Sequence, residues 1–140
     1  MKNGMISWLV DNHVQSEADL DQVIGPIVYL LQKEDYIRIE AANTAFENLF
    51  NWHAYNWENG MYIEHILPAG TRNHFCVALE KAAEKLWSQI ILDTEMKKKD
   101  GTVLYCKAHI FCIGKDEAAI KYVVRLEYDL ETQIKDALFT

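Results

Sequence analysis

The stretch Lys99-Asp100-Gly101-Thr102-Val103-Leu104-Tyr105-Cys106-Lys107-Ala108-His109-Ile110-Phe111-Cys112-Ile113 decides the fold. Asp-Gly supports the positive φ angles of a tight turn, so the chain is predicted to reverse here. Beyond the turn the residues alternate with period two, the pattern of a strand set between two different environments. Leu104, Cys106, Ala108, Ile110 and Cys112 share one face, and Tyr105, Lys107, His109 and Phe111 share the other. The Leu104 face is expected to meet helices. The opposite face carries more aromatic surface than solvent contact explains, so the N-terminal residues or a second copy of the chain are expected to cover it.

Outward from this hairpin, residues 88–97 are predicted as the strand before the turn and residues 119–128 as the strand after Gly114-Lys115-Asp116-Glu117. On the last strand Ile120, Tyr122, Val124, Leu126 and Tyr128 share a side. Upstream, residues 71–86 are predicted to form the longest helix, with Phe75, Leu79, Ala82, Ala83 and Leu86 toward the core. Residues 51–70 are irregular, with room for one or two single-turn helices. Asn43 can cap a helix carrying Phe46, Leu49 and Phe50 on one face. Ile27-Val28-Tyr29-Leu30-Leu31 and Tyr36-Ile37-Arg38-Ile39-Glu40 flank a polar turn and form a hairpin. Gly25-Pro26 ends a helical stretch over residues 3–24, and the amphipathic run from Asp129 onward suggests another helix. The result is an α+β architecture: a five-stranded antiparallel sheet with helices on one face.

The chain has 140 residues, half of them apolar, enough for one domain with a proper core. A net charge of −7 offers no dominant basic surface, so nucleic acid is not an expected partner. The Lys97-Lys98-Lys99 run is accordingly expected to be a solvated hairpin end. Cys76, Cys106 and Cys112 are odd in number and form no Cys-x-x-Cys pair, which suits reduced thiols in a core. The first apolar run, residues 5–10, is too short to span a bilayer and no small-residue cleavage site follows it, so neither membrane nor secretion is expected and the reading is cytoplasmic. No nucleophile elbow or phosphate-cradling glycine loop occurs, so the chain is not expected to be an enzyme. None of His13, His53, His65, His74 and His109 pairs with another at short ligand spacing, so no metal site is expected.

Three segments together resemble the PAS family: Ala42-Asn43-Thr44-Ala45-Phe46-Glu47-Asn48-Leu49-Phe50, Lys98-Lys99-Asp100-Gly101-Thr102 and Asp129-Leu130-Glu131-Thr132. They look like the family's entry to its first core helix, its "R-K-D-G-S/T" hairpin and its closing "D-I-T", though an extra residue separates Leu130 from Thr132. The resemblance implies an N-terminal helical extension over residues 1–25, a PAS domain over 26–128, and the start of a signalling helix over 129–140. It implies homodimerisation and regulation of an effector domain, as in cyclic di-GMP turnover proteins, histidine kinases or some transcription factors. Asp129 and Thr132 would relay the signal.

A small organic ligand would sit among Tyr29, Phe46, Phe50, Ile66, Phe75, Leu79, Ile90, Leu92, Ala108, Ile110, Val124 and Leu126, unless these residues simply fill the core. Trp52 and Trp57 are either a lid over that interior or half-buried anchors. Haem and flavin are the cofactors the resemblance brings into view. His74 falls on the long helix, where some oxygen sensors of the family ligate iron, but its offset from Asp100-Gly101 differs from theirs. The cysteine motif of light-sensing members has no counterpart over residues 57–67. The alternative function is a dimerisation scaffold that binds no ligand. A small enzyme of similar shape would need a convergent polar cluster, and the sequence offers none.

Overall fold

Asn43 stands between the second strand and the first helix. In the computed structural model, which describes residues 25–128, its side chain is 1% exposed. Its Oδ1 accepts from the N–H groups of Ile27 (2.9 Å) and Phe46 (3.1 Å), and its Nδ2 donates to the Gly25 carbonyl (2.7 Å). The Asn43 N–H donates to Ile27 O at 3.1 Å. The cap expected from sequence is therefore also a clamp on the start of the sheet. The expected helices over residues 1–24 and 129–140, with Asp129 and Thr132, lie outside the described residues.

The elements follow in the order β1 (Ile27–Lys33), β2 (Tyr36–Ala42), α1 (Thr44–Phe50), α2 (Ala54–Glu58), a 3-10 turn (Ile63–His65), α3 (Arg72–Ala83), β3 (Ile90–Lys97), β4 (Val103–Lys115) and β5 (Ile120–Tyr128). The strands form one antiparallel sheet in the order β2-β1-β5-β4-β3. The last strand thus lies at the centre. The Asp100 turn forms as expected: Gly101 has φ +91, Lys98 donates to Thr102 O at 2.8 Å, and Asp100 Oδ1 accepts from Thr102 N at 2.8 Å.

The helical layer packs on the Leu104 face. Phe46 and Phe50 of α1, spaced i, i+4, pack with ring centroids 4.8 Å apart. Phe75, Ala78, Leu79 and Ala82 make the buried stripe of α3. These residues share a core with Val28, Leu30, Cys106, Ala108, Ile110, Cys112, Tyr122, Val124 and Leu126. Helix α3 ends three residues earlier than expected, and Leu86 is 45% exposed rather than in the core. The cause is the segment after it: Trp87 turns into the left-handed region (φ +66) and donates to Cys112 O at 2.9 Å, carrying the chain around the sheet edge. The third strand consequently starts at Ile90, not Ser88.

The opposite face holds a second cluster of Ile27, Ala41, Phe111 and Val123, with Tyr29, Trp87 and Ile113 packed against it. Phe111 is 2% exposed, so this face is covered, as its aromatic content led us to expect. Tyr29 is a correction: pairing opposite Val123, it points to this second cluster and not to the helix-side interior. The period of two along β1 sends Val28 and Leu30 inward and Tyr29 outward.

His109 is 6% exposed on the same outer face. Its Nδ1 lies 3.2 Å from Gln89 Oε1, and its Nε2 lies 2.9 Å from Glu127 Oε1 without the alignment of a hydrogen bond. Burial and the nearby charges of Arg125 and Lys107 push its pKa down, and Glu127 opposes them in part.

Two outcomes follow from these placements. Asn43→Ala removes a cap and orphans buried backbone groups, and should cost about 2–4 kcal/mol in urea unfolding, whereas Asn48→Ala, exposed on the same helix, should stay within about 0.5 kcal/mol. Equal effects would show that the clamp is not what holds β1 to α1. For His109, the unfolded chain takes up a proton near pH 6.5 while the fold resists it, so its contribution is present above pH 6.5 and lost as pH falls. An NMR titration of the His109 ring should give a midpoint below 6.5, and His109→Gln should flatten the acid-side fall in stability; a midpoint at or above 6.5 would contradict the burial argument.

Candidate functional site

The interior beneath the helices gathers most of the residues expected to line a ligand pocket. Phe46, Phe50, Ile66, Phe75, Leu79, Ala108, Ile110, Val124 and Leu126 come together there, each at 2% exposure or less. Ile90 and Leu92 stand at its margin, partly buried on edge strand β3, and Tyr29 is on the other side of the sheet. The interior is almost wholly apolar. Among the described residues, the buried polar side chains are Asn43, Thr94 and His109; the first is committed to its clamp and the last lies on the outer face. Tyr122 adds one polar handle, its hydroxyl donating to Gln32 Oε1 at 3.0 Å while its ring is fully buried. Burial pushes its pKa up, helped by the neighbouring Cys112, so it remains a neutral donor.

Burial disfavours the thiolate form of the cysteines there. Burial pushes Cys106 up to about 12 and raises Cys112 as well, so neither supplies a thiolate near neutral pH. Trp57 is 6% exposed in the core, and Trp52 is half-buried with its Nε1 donating to Lys97 O at 3.1 Å. Both are anchors, and the lid reading does not fit a side chain tied to the sheet.

An open cleft of about 450 Å³ lies where the start of α3 meets β3, β4 and β5, lined in part by Thr71, His74, Asp93, Glu95, Lys107 and Glu127. It brings both signs of charge together without a directed pair. His74 is exposed and lines this cleft rather than the apolar interior, so it does not fit the role of an iron ligand within the core. Among the described residues no three His, Cys, Asp or Glu side chains cluster for a metal. A flavin fits no better. No cysteine occurs over residues 57–67, and the polar groups of the interior are engaged, Thr94 Oγ1 donating to Glu95 O at 3.4 Å and the Tyr122 hydroxyl to Gln32 Oε1 at 3.0 Å.

Sequence reasoning found the interior through its period-two and period-3.6 patterns. It missed the Tyr122–Gln32 and His109–Gln89 contacts, because their partners are 90 and 20 residues apart. It also missed that Lys97, Lys98 and Lys99 line a second cleft with Trp52, His65 and Arg72. The lysine run was visible, but the residues that join it were not.

No protein-family model matches the chain, and no curated protein is similar to it. Solved structures do match. The PAS domain of a protein from Colwellia psychrerythraea is 17% identical with a TM-score of 0.63, covering 81% of this chain and 93% of that one. The LOV domain of the Erythrobacter litoralis EL346 blue-light-activated histidine kinase is 12% identical with a TM-score of 0.59, covering 76% and 96%. An RNA-binding light-oxygen-voltage receptor is 14% identical with a TM-score of 0.67; the match covers 97% of this chain but only 38% of the receptor. Among the described residues no helix is long and apolar enough to cross a membrane. Identities this low carry the architecture and not the chemistry, and on that ground, with β5 central in a β2-β1-β5-β4-β3 sheet and helices over one face, this chain is a domain of the PAS fold.

Proposed function

We propose that the domain is a sensory and regulatory module, without catalysis of its own, that relays a ligand- or partner-induced change to an effector such as a diguanylate cyclase, a phosphodiesterase or a histidine kinase. The observation that carries the reading is the position of β5. Its inward residues Tyr122, Val124 and Leu126 belong to the core, while its outward Val123 belongs to the cluster on the other face. A change of packing in the interior is therefore felt across the sheet within one residue, and the same strand leads directly to Asp129. The sensory neighbours, one of them from a light-activated kinase, support the same reading. A ligand shifts such a domain only if it interacts differently with two packings, so the module needs two states that the ligand separates.

A second reading is a dimerisation scaffold with an empty interior. The closeness of the interior packing favours it, since nine of the residues expected to line a pocket are each at 2% exposure or less.

Asp129→Ala in the full-length protein should weaken effector regulation while leaving the unfolding midpoint of the domain unchanged. Full regulation in that variant would sink the relay. Native mass spectrometry separates the two readings: a retained small molecule supports sensing, an empty dimer supports the scaffold, and an empty monomer opposes both.

A further inference from the structure

The second cleft, about 430 Å³, sits at the Asp100 end of the molecule and is lined by Trp52, Glu64, His65, Arg72, Lys97, Lys98, Lys99 and Gly101. Four permanent cations meet one carboxylate there, in a chain whose formal charge is −7. Among the described residues none of the four is in an ion pair within 4 Å; the pairs formed are Arg38–Glu40, His53–Glu47, His109–Glu127 and Arg125–Glu127. The neighbouring Asp100 is committed to its own turn, where it accepts from Thr102 N at 2.8 Å. Arg72 donates through Nη2 to Glu64 O at 3.2 Å, but its Nε is buried without a partner. An unmatched donor beside three lysines is a cost in the empty protein that an anion would remove.

The cleft is also built on fixed backbone. Trp52 Nε1 donates to Lys97 O at 3.1 Å, Lys97 N to Ile66 O at 2.7 Å and Lys99 N to Phe50 O at 3.0 Å, which ties three separate segments together. Arg72 is the first residue of α3, a helix of 12 residues whose N-cap Thr71 makes no side-chain cap, so the positive end of the helix dipole adds to the field. Trp52 supplies an aromatic wall on which a flat ring can stack. The volume is that of a small-molecule site. The acidic remainder of the chain disfavours a long polyanion, which would run past the cleft onto repelling surface.

We propose that this cleft binds a nucleoside polyphosphate, its phosphates held by Arg72, Lys97, Lys98 and Lys99 and its base against Trp52. This site is separate from the apolar interior and does not depend on what, if anything, that interior binds.

Calorimetric titration of the whole chain with ATP, tripolyphosphate and adenosine, at about 0.15 M salt, tests it. ATP should bind, tripolyphosphate should compete with it more weakly, and adenosine alone should not bind. The pair Lys98→Glu with Lys99→Glu, the first half-buried and the second exposed, should weaken ATP binding at least about tenfold with the far-UV spectrum unchanged. Lys33→Glu with Lys115→Glu makes the same charge change on exposed residues outside the cleft and should leave affinity within about twofold. No heat from ATP at about 1 mM, or equal losses in the two double variants, would overturn the site. Adenosine binding as tightly as ATP would overturn the role of the cations, and tripolyphosphate binding as tightly as ATP would overturn the role of Trp52.

Discussion

A single buried amide holds the two layers of this molecule together. Asn43 closes the end of α1 that would otherwise present unsatisfied N–H groups, and the same oxygen takes the first N–H of β1. Because its Nδ2 also occupies the Gly25 carbonyl, both chain segments arriving at this corner have their polar groups satisfied in a site that excludes water. The rest follows from that corner. β1 is placed to pair with both β2 and β5, and α1 starts at the height where Phe46 and Phe50 reach the core. An apolar residue at position 43 would leave those groups facing each other without partners.

The sheet that grows from this corner carries an apolar cluster on each face, and β5 lies in the middle of it. Its alternation sets Val123 of the outer cluster directly between Tyr122 and Val124 of the core. Close-packed interiors rearrange between discrete packings and do not deform smoothly, and it is on this strand that the proposed relay rests. The apolar interior, with thiols held protonated and one tyrosine hydroxyl committed to Gln32, offers packing and shape to a ligand rather than acid–base chemistry. That contrast with the charged clefts at the ends of α3 and the Asp100 hairpin divides the molecule into a mechanical centre and an electrostatic periphery.

Much of this was legible in the chain itself. The Asp100-Gly101 turn, the alternation from Val103 to Ile113 and the Asn43 cap are local signals, and each formed where it was expected. Of the twelve interior residues inferred from periodicity, nine are together in the core. Tyr29 was misplaced because a short continuous apolar run such as Ile27 to Leu31 does not declare which parity faces which layer. Leu86 was misplaced because the end of α3 is set by Trp87 reaching Cys112 across the sheet edge, a contact no local pattern encodes.

Local pattern in the chain specifies the strands, the helices, the turns and most of the faces, because these depend on side-chain period and on the φ angles that Gly and Asn tolerate. Which residues from distant segments share a space is settled by folding of the whole chain. It set Arg72 and Trp52 beside the lysine run, Gln89 beside His109, and Gln32 beside Tyr122. The physical reason is that charge and hydrogen-bonding neighbourhoods are fixed by strand register and helix docking over tens of residues, and no local stretch of chain carries that information.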